Sequence, residues 1–167
     1  MTRHNAGRMA VLEFVKKEGI DQPEFDKKLK ALMAKGEIGG EKIQIILPET
    51  FMNKSGESLK PLALSAKKAE KLVVVHDDID LPLGKIKISF GKNSGGHKGV
   101  ESVIKAVKTI NFTRVRIGIS RANAKGAVKK PSGDKFIVLT AFITKKSAEA
   151  LKVIVSEGTE KAMGEFN

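Results

Sequence analysis

The stretch LVVVHDDIDLPLGKIKISFGKNSGGHKG, residues 72–99, opens with a continuous apolar run that has charged residues on both sides. A short run rich in β-branched residues is typical of a strand buried on both faces, so we predict such a strand over Leu72–Val75. In open α/β sheets, ligands bind just beyond the carboxyl ends of the strands. A histidine and three carboxylates follow the predicted strand at once and form a candidate site: His76, Asp77, Asp78 and Asp80.

The rest of the same stretch predicts a second strand and then a helix. Lys85 to Ser89 alternates Ile86 and Ile88 with two lysines, which is the period of a strand with one buried face. The glycine-rich segment 94–99 predicts a turn that opens a helix over 97–107. Backbone N–H groups at the start of a helix can hold an anion, so we expect a second polar corner here.

The whole chain is basic and has the size of one domain. Its 167 residues carry a formal net charge of +12, and they contain no cysteine, tyrosine or tryptophan. The absence of cysteine excludes disulfides and thiolate metal sites, and no apolar run reaches the length of a membrane span. We expect a cytoplasmic protein with a polyanionic partner, most simply nucleic acid. A solvated lysine-rich surface is the alternative explanation of the charge.

Periodicity predicts the remaining elements. Asn5 is expected to cap a helix that ends at Gly19 and turns three apolar residues inward: Met9, Leu12 and Val15. In a strand over 112–119, Arg114 and Arg116 share one face. The other predictions are a helix by local pattern at 24–35, a strand at 42–47, a helix starting at Ser55, a polar loop at 122–135, an apolar segment at 136–139 and a helix at about 145–163.

Four motifs, taken together, resemble the bacterial-type peptidyl-tRNA hydrolase family. They are TRHNAG at 2–7, FMNKSG at 51–56, HDDIDLP at 76–82 and GGHKG at 95–99. Each is weak alone, but their order and approximate spacing agree with the family over the whole chain. The resemblance implies a single α/β domain over residues 1–167, with a mixed, twisted sheet covered by helices. It also implies strands within residues 24–40, against the local helical pattern.

The family cleaves the ester between a peptide and the 3′ end of tRNA without a metal or other cofactor, and its members are expected to be monomers. His4 matches its general base, and Asp77 matches the carboxylate that orients this imidazole. A carboxylate partner fixes the tautomer of an imidazole and favours its protonated form, which suits activation of water. By the same resemblance, Asn53 holds the substrate, Phe51 is a neighbouring tRNA contact, and His97 belongs to the Gly-Gly-His motif.

Basic residues complete the implied site. Arg116 matches a residue that grips a tRNA phosphate, and Lys85 and Lys87 are expected to assist it. Lys98 stands where the family usually has asparagine. A lysine cannot accept a hydrogen bond as an amide does, but it can grip a phosphate or an oxyanion.

The start of the chain also departs from the family. Members normally have an apolar strand and a Gly-Asn-Pro-Gly turn before the Thr-Arg-His motif, with a further active-site asparagine and a tyrosine. Here Met1 directly precedes Thr2. We therefore expect the gene product to be longer than this chain.

Two other functions compete with ester hydrolysis. One is an RNA-binding relative that has lost catalysis, which the missing segment and Lys98 favour. The other is a metal-dependent phosphohydrolase, since carboxylate clusters bind Mg²⁺. That enzyme would use the acidic segment after the first predicted strand: His76, Asp77, Asp78 and Asp80.

Overall fold

The structure, a computed structural model, describes residues 5–122, 128–129 and 140–167. Its elements in chain order are helix α1 (Ala6–Lys17), strands β1 (Glu24–Asp26), β2 (Ala31–Ile38) and β3 (Glu41–Pro48), a 3₁₀ helix (Met52–Leu62), α2 (Ala66–Ala69), β4 (Val73–Pro82), β5 (Ile86–Phe90), α3 (Lys98–Val107), β6 (Thr113–Ala122), β7 (Val128–Lys129), α4 (Thr140–Glu157) and α5 (Thr159–Phe166). No helix within these ranges is long and apolar enough to cross a bilayer. The predicted segment at 136–139 and most of the predicted loop at 122–135 lie outside the described residues.

The described residues divide into two compact units. Of the described residues, the first unit draws on 5–19, 75–89, 114–122, 128–129 and 140–167, and the second on 20–74 and 90–113. The strands form two sheets, an antiparallel sheet of order β1-β2-β3 and a second sheet of order β4-β6-β5 in which β7 pairs with β6.

The local helical prediction for residues 24–35 is wrong, and the strands implied by the family resemblance are confirmed. A tight turn decides the outcome. Asp26 Oδ1 accepts the backbone N–H of Leu29 at 2.9 Å, and Lys30 adopts a left-handed conformation with φ of 50°. This turn folds β1 back onto β2, so that Phe25 faces Leu32 across the hairpin. The helical spacing of the apolar residues thus reflects cross-strand pairs.

Strand β4 does not end at His76 as predicted, but continues through the acidic segment to Pro82. Its apolar residues Val73–Val75 are only half-buried, whereas His76 and Asp77 are buried. Strand β6 supports the continuation. The hydroxyl of Ser120 donates to the carbonyl of Ile79, and the backbone of Gly118 lies against the carbonyl of Pro82, where a side chain would not fit.

Helix α1 packs in the first unit through its small residues. Its buried positions are Gly7, Ala10, Phe14 and Val15. Of the predicted inner residues, Val15 is confirmed, whereas Met9 and Leu12 are only half-buried. Gly7 explains the choice of face, because a Cβ there would lie 2.5 Å from the carbonyl oxygen of Val75. The helix therefore approaches the backbone of β4 directly. Ala10 and Ile117 form the centre of this contact, with Val75 beside them.

The second unit has its own apolar core, in which α3 and the 3₁₀ helix are packed together. The predicted start of that helix at Ser55 is wrong by one turn, since it begins at Met52. The buried members of the core come from the 3₁₀ helix, α2, α3 and the start of the segment leading to β6: Leu59, Ala69, Val100, Val103, Val107 and Phe112.

The predicted C-terminal helix is present but interrupted. Gly158, with φ of +93°, separates α4 from α5. After α5, the side-chain amide of Asn167 pairs with the backbone of β5 at Ile88, accepting its N–H at 2.6 Å and donating to its carbonyl at 3.1 Å.

Candidate active site

Asp77 is buried in the first unit, on the face of β4 that helix α1 covers. Val75 packs beside Ala10 of that helix, and side chains two residues apart on a strand share a face. Gly7 of α1 lies against the backbone of Val75 and His76. The beginning of α1 is therefore next to the part of β4 that carries Asp77. The relative exposure of Asp77 is 6%. His4, the predicted general base, lies outside the described residues.

His76 supports the backbone at Asp77. Its Nδ1 lies 2.8 Å from the carbonyl oxygen of Asp77, and since a carbonyl only accepts, Nδ1 must carry the proton. The imidazole is buried. Because β4 continues as a regular strand here, His76 lies on the face opposite to Asp77 and acts on the strand rather than on the candidate site face.

Arg116 is engaged by a carboxylate in the first unit. Its Nε lies 2.6 Å from Oδ2 of Asp78, and both side chains are largely shielded from solvent. Burial alone would raise the pKa of Asp78, but the hydrogen bonds from Arg116 and from the backbone N–H of Asp80 outweigh it and hold this pKa below its ordinary value. The Nε–H donor of the guanidinium is thereby used by Asp78.

Arg114 is more deeply buried than Arg116, although the sequence pattern gives them the same face. Its relative exposure is 4%, and in the described part of the chain its Nε has no hydrogen-bond partner. Burial, followed by the charge of Arg116, lowers the pKa of Arg114, and Asp78 opposes this only in part. Two arginines thus lie close to the carboxylate of Asp78, on the face of β4 opposite to Asp77.

In the second unit, the glycine-rich turn fixes His97 at the start of α3. Gly95 and Gly96 both have positive φ, at 62° and 83°, which favours glycine at these positions. His97 is the N-cap residue, and its Nδ1 accepts the backbone N–H of Val100 at 3.2 Å. An accepting Nδ1 requires the proton to be on Nε2. The predicted helix start at this turn is confirmed.

The segment Phe51-Met52-Asn53 lies close to this glycine-rich turn. A Cβ on Gly99 would lie 2.6 Å from Met52 Sδ and 3.0 Å from Cε1 of His97. The side chains of Met52 and His97 therefore converge over Gly99, which has no side chain. Phe51, at 80% exposure, and Asn53 next to Met52 are open to solvent at the start of the 3₁₀ helix. Of the predicted substrate-binding residues, the second unit holds Phe51 and Asn53 at the start of the 3₁₀ helix and His97 and Lys98 at the start of α3. Met52 is the residue that lies near His97.

The three predicted lysines are exposed. Lys85 and Lys87 alternate with the buried Ile86 and Ile88, as the pattern predicts, and Lys98 lies at the first position of α3. In the described ranges, no three histidine or carboxylate side chains form a group that could hold a metal ion. His76, Asp77, Asp78 and Asp80, all within the described ranges, thus do not form such a group.

Sequence reasoning missed three contributors. Met52 lies near His97 over Gly99, Ser102 accepts the backbone N–H of Gly56, and Arg114 adds a buried charge to the first unit. The alternation in β6 already suggested a shared face for Arg114 and Arg116, but no local pattern indicates how deep each residue lies. For Ser102, an ordinary helix position, the sequence carries no signal.

Comparison with known proteins agrees with this geometry. The sequence profile of the family described as "Peptidyl-tRNA hydrolase" matches residues 1–167. Peptidyl-tRNA hydrolase of Carboxydothermus hydrogenoformans is 41% identical over 99% of this chain and 90% of its own, and that of Thermoanaerobacter sp. is 40% identical over 99% and 91%. The crystal structure of peptidyl-tRNA hydrolase from Acinetobacter baumannii, 27% identical, superposes with a TM-score of 0.78 over 99% of this chain and 86% of that one.

These structures confirm the predicted α/β fold class, with strands and helices arranged as in the solved relatives. The profile match and the identity to the relatives extend over practically the whole chain. The chain belongs to the peptidyl-tRNA hydrolase family.

Proposed function

We propose that this protein hydrolyses the ester of peptidyl-tRNA and so releases the tRNA for further rounds of translation. The observation that carries the proposal is the family match over residues 1–167. The relatives it resembles are named as this hydrolase, which favours the enzyme over a catalytically silent RNA-binding relative. We further propose that residues 1–167 act as one domain in a cytoplasmic monomer, without a cofactor.

In the proposed reaction, His4 takes a proton from a water molecule while the water oxygen attacks the ester carbonyl carbon. Asp77 orients the imidazole and stabilises its protonated form. The tetrahedral intermediate collapses, the bond to the 3′ oxygen of the ribose breaks, and His4 returns the proton to that oxygen. The burial of Asp77 beside the start of α1 supports this pairing, since Gly7 of that helix is three residues from His4.

Substrate binding is assigned to the second unit and to the basic strands. The exposed amide of Asn53 would hold the peptide end, with Phe51 and His97 beside it. Lys98 would donate to the oxyanion or to a phosphate, and the phosphates of the tRNA would meet Arg116, Lys85 and Lys87. The exposure of the lysines and the net charge of +12 support this assignment.

The test is turnover of an N-acetyl-aminoacyl-tRNA by the purified chain, with and without EDTA. Hydrolysis that EDTA does not change supports the proposal. Loss of hydrolysis on chelation would favour a metal-dependent enzyme, and tRNA binding without any turnover would favour the RNA-binding relative. Aminoacyl-tRNA with a free amino group serves as the control substrate.

A further inference from the structure

The 3₁₀ helix and α3 approach each other backbone to backbone in the second unit. Gly56 of the 3₁₀ helix is buried, and a Cβ there would lie 2.5 Å from the carbonyl carbon of Ser102 and 3.0 Å from Cβ of Ala106. At the start of α3, Gly99 leaves room for the side chain of Met52. The backbone contact at Gly56 therefore sets the spacing between the two elements.

A hydroxyl group then fixes how the two elements align. Ser102 Oγ on α3 accepts the backbone N–H of Gly56 at 3.0 Å. Gly56 is three residues from Asn53, and the hydroxyl of Ser55 donates to the carbonyl of Met52 at 2.9 Å, which tightens the turn between them. On α3, Ser102 lies five residues, about one and a half helical turns, after His97. Its side chain therefore ties the turn carrying Asn53 to the helix carrying His97.

We propose that Ser102 is a positioning residue, which sets the distance between the amide of Asn53 and the His97–Lys98 end of α3 and thereby the affinity for the peptidyl end of the substrate. This inference rests on the proposed function of that group. Without the hydroxyl, the 3₁₀ helix keeps its glycine contact and its apolar core, but the hydrogen bond that fixes its position along α3 is gone. Because this group is proposed to bind the substrate rather than to react with it, a change in its spacing should weaken binding, by about tenfold where one hydrogen bond to the substrate is lost.

The decisive comparison is between two serine-to-alanine variants in the same unit. Ser102→Ala removes the hydroxyl that accepts from Gly56, and Ser65→Ala removes the hydroxyl that accepts from Lys68 at the start of α2, at 3.3 Å. Both variants lose one acceptor of a backbone N–H. We expect Ser102→Ala to raise KM for N-acetyl-aminoacyl-tRNA about tenfold with kcat within threefold, and Ser102→Thr, which keeps a hydroxyl, to recover most of the affinity. Ser65→Ala should leave KM unchanged.

An equal effect of the two variants on Tm, with KM unchanged in both, would overturn the inference and leave Ser102 a purely structural residue. A failure of Ser102→Thr to recover affinity would do the same. If Ser102→Ala does not fold, Ser102→Cys replaces it, because a thiol is close in size and a weaker acceptor.

A second measurement needs no turnover. In two-dimensional NMR spectra of the free protein, Ser102→Ala should shift the side-chain amide signals of Asn53 and the ring signals of His97, whereas Ser65→Ala should leave both in place. Unshifted signals in Ser102→Ala would contradict the positioning role even in an active enzyme. Shifted signals in a chain that hydrolyses no peptidyl-tRNA would support the positioning and refute the proposed function.

Discussion

The Nε atom of Arg116 on β6 lies 2.6 Å from Oδ2 of Asp78 on β4, and the side chain of Asp78 is only 11% exposed. A charge-assisted contact of this length between adjacent strands joins the acidic segment of the chain to its basic strand. Because Arg114 is buried in the same neighbourhood, the carboxylate offsets the charge of more than one cation. The first two predictions concern this group.

Asp78→Asn should destabilise the protein in a pH-dependent way. The pKa of Asp78 is lowered in the folded state, so its contribution is fully present above the ordinary carboxyl value of 3.8 and is lost as the pH falls through the lowered value. We expect the variant to lose about 1.5–3 kcal/mol of unfolding free energy at pH 7. Denaturant titrations of parent and variant should converge well below pH 4. Glu57→Gln, which breaks the exposed ion pair with Lys30, is the control and should show no measurable change.

Replacing the two arginines by methionine should have opposite consequences. Arg116→Met leaves the carboxylate of Asp78 without its ion-pair partner and should cost about 3–5 kcal/mol. Arg114→Met removes a cation whose burial lowers its pKa, and it should be neutral or stabilising. Thermal unfolding measures both. A large loss of stability in Arg114→Met would show that its guanidinium makes favourable contacts that outweigh its desolvation.

His4→Ala should lower kcat for peptidyl-tRNA by about 10²–10⁴, the usual contribution of a general base, with tRNA affinity within a few-fold of the parent. Asp77→Asn should cost less, because it removes orientation and charge but leaves the base. Single-turnover rates measure the loss of catalysis, and filter binding measures the affinity for tRNA. The assignment of His4 fails if its alanine variant keeps more than half of the parental kcat. A variant of Asp77 that binds tRNA poorly but turns over normally would remove this residue from the catalytic pair.

Arg116→Ala and Lys87→Ala should each flatten the salt dependence of tRNA binding. Each phosphate that the variant no longer neutralises reduces the slope of log K against log salt by roughly one unit. Lys161→Ala is the charge-matched control, since Lys161 forms an exposed ion pair with Glu165 within α5 and is assigned no role in tRNA binding. The slope is obtained from tRNA affinities measured between low and moderate salt. An unchanged slope would leave the residue concerned as an ordinary surface charge.

Lys98→Asn, which restores the residue usual in the family, should preserve or raise kcat. The side chain is exposed at the first position of α3, where a cation is not favoured by the helix dipole, so the exchange should not destabilise the fold. Steady-state kinetics with the same substrate check this. A collapse of kcat would show that the ammonium group has acquired a role of its own, such as stabilising the oxyanion.

The fold was predictable where one pattern acted alone and unpredictable where two competed. The alternation in β5 and the glycines before α3 each have one structural solution, and both predictions are confirmed. In residues 24–35 the apolar spacing suits a helix, but the Asp26–Leu29 turn and the left-handed Lys30 impose a hairpin. The length of β4 was missed because its pairing with β6 depends on Gly118 and Ser120, about forty residues away in sequence.

Residue types indicated the site, but burial and tertiary contacts could not be predicted from them. Motif spacing selected Asp77, Asn53 and His97, and the structure places Met52, the chain neighbour of Asn53, near His97. The different depths of Arg114 and Arg116 depend on what packs against each side chain, which a period of two does not encode. The hydrogen bond of Ser102 with Gly56 joins residues 46 positions apart and has no local signature.

The pairing of Asn167 with Ile88 bears on how molecules of this protein behave toward one another. Strand β5 is the last strand on the β4-β6-β5 path, and an outer strand offers unpaired N–H and C=O groups to which a strand of another molecule can add. At Ile88 both groups are already taken by the side-chain amide of Asn167. Removing that amide would leave the N–H and C=O of Ile88 open to pairing with a strand of another molecule.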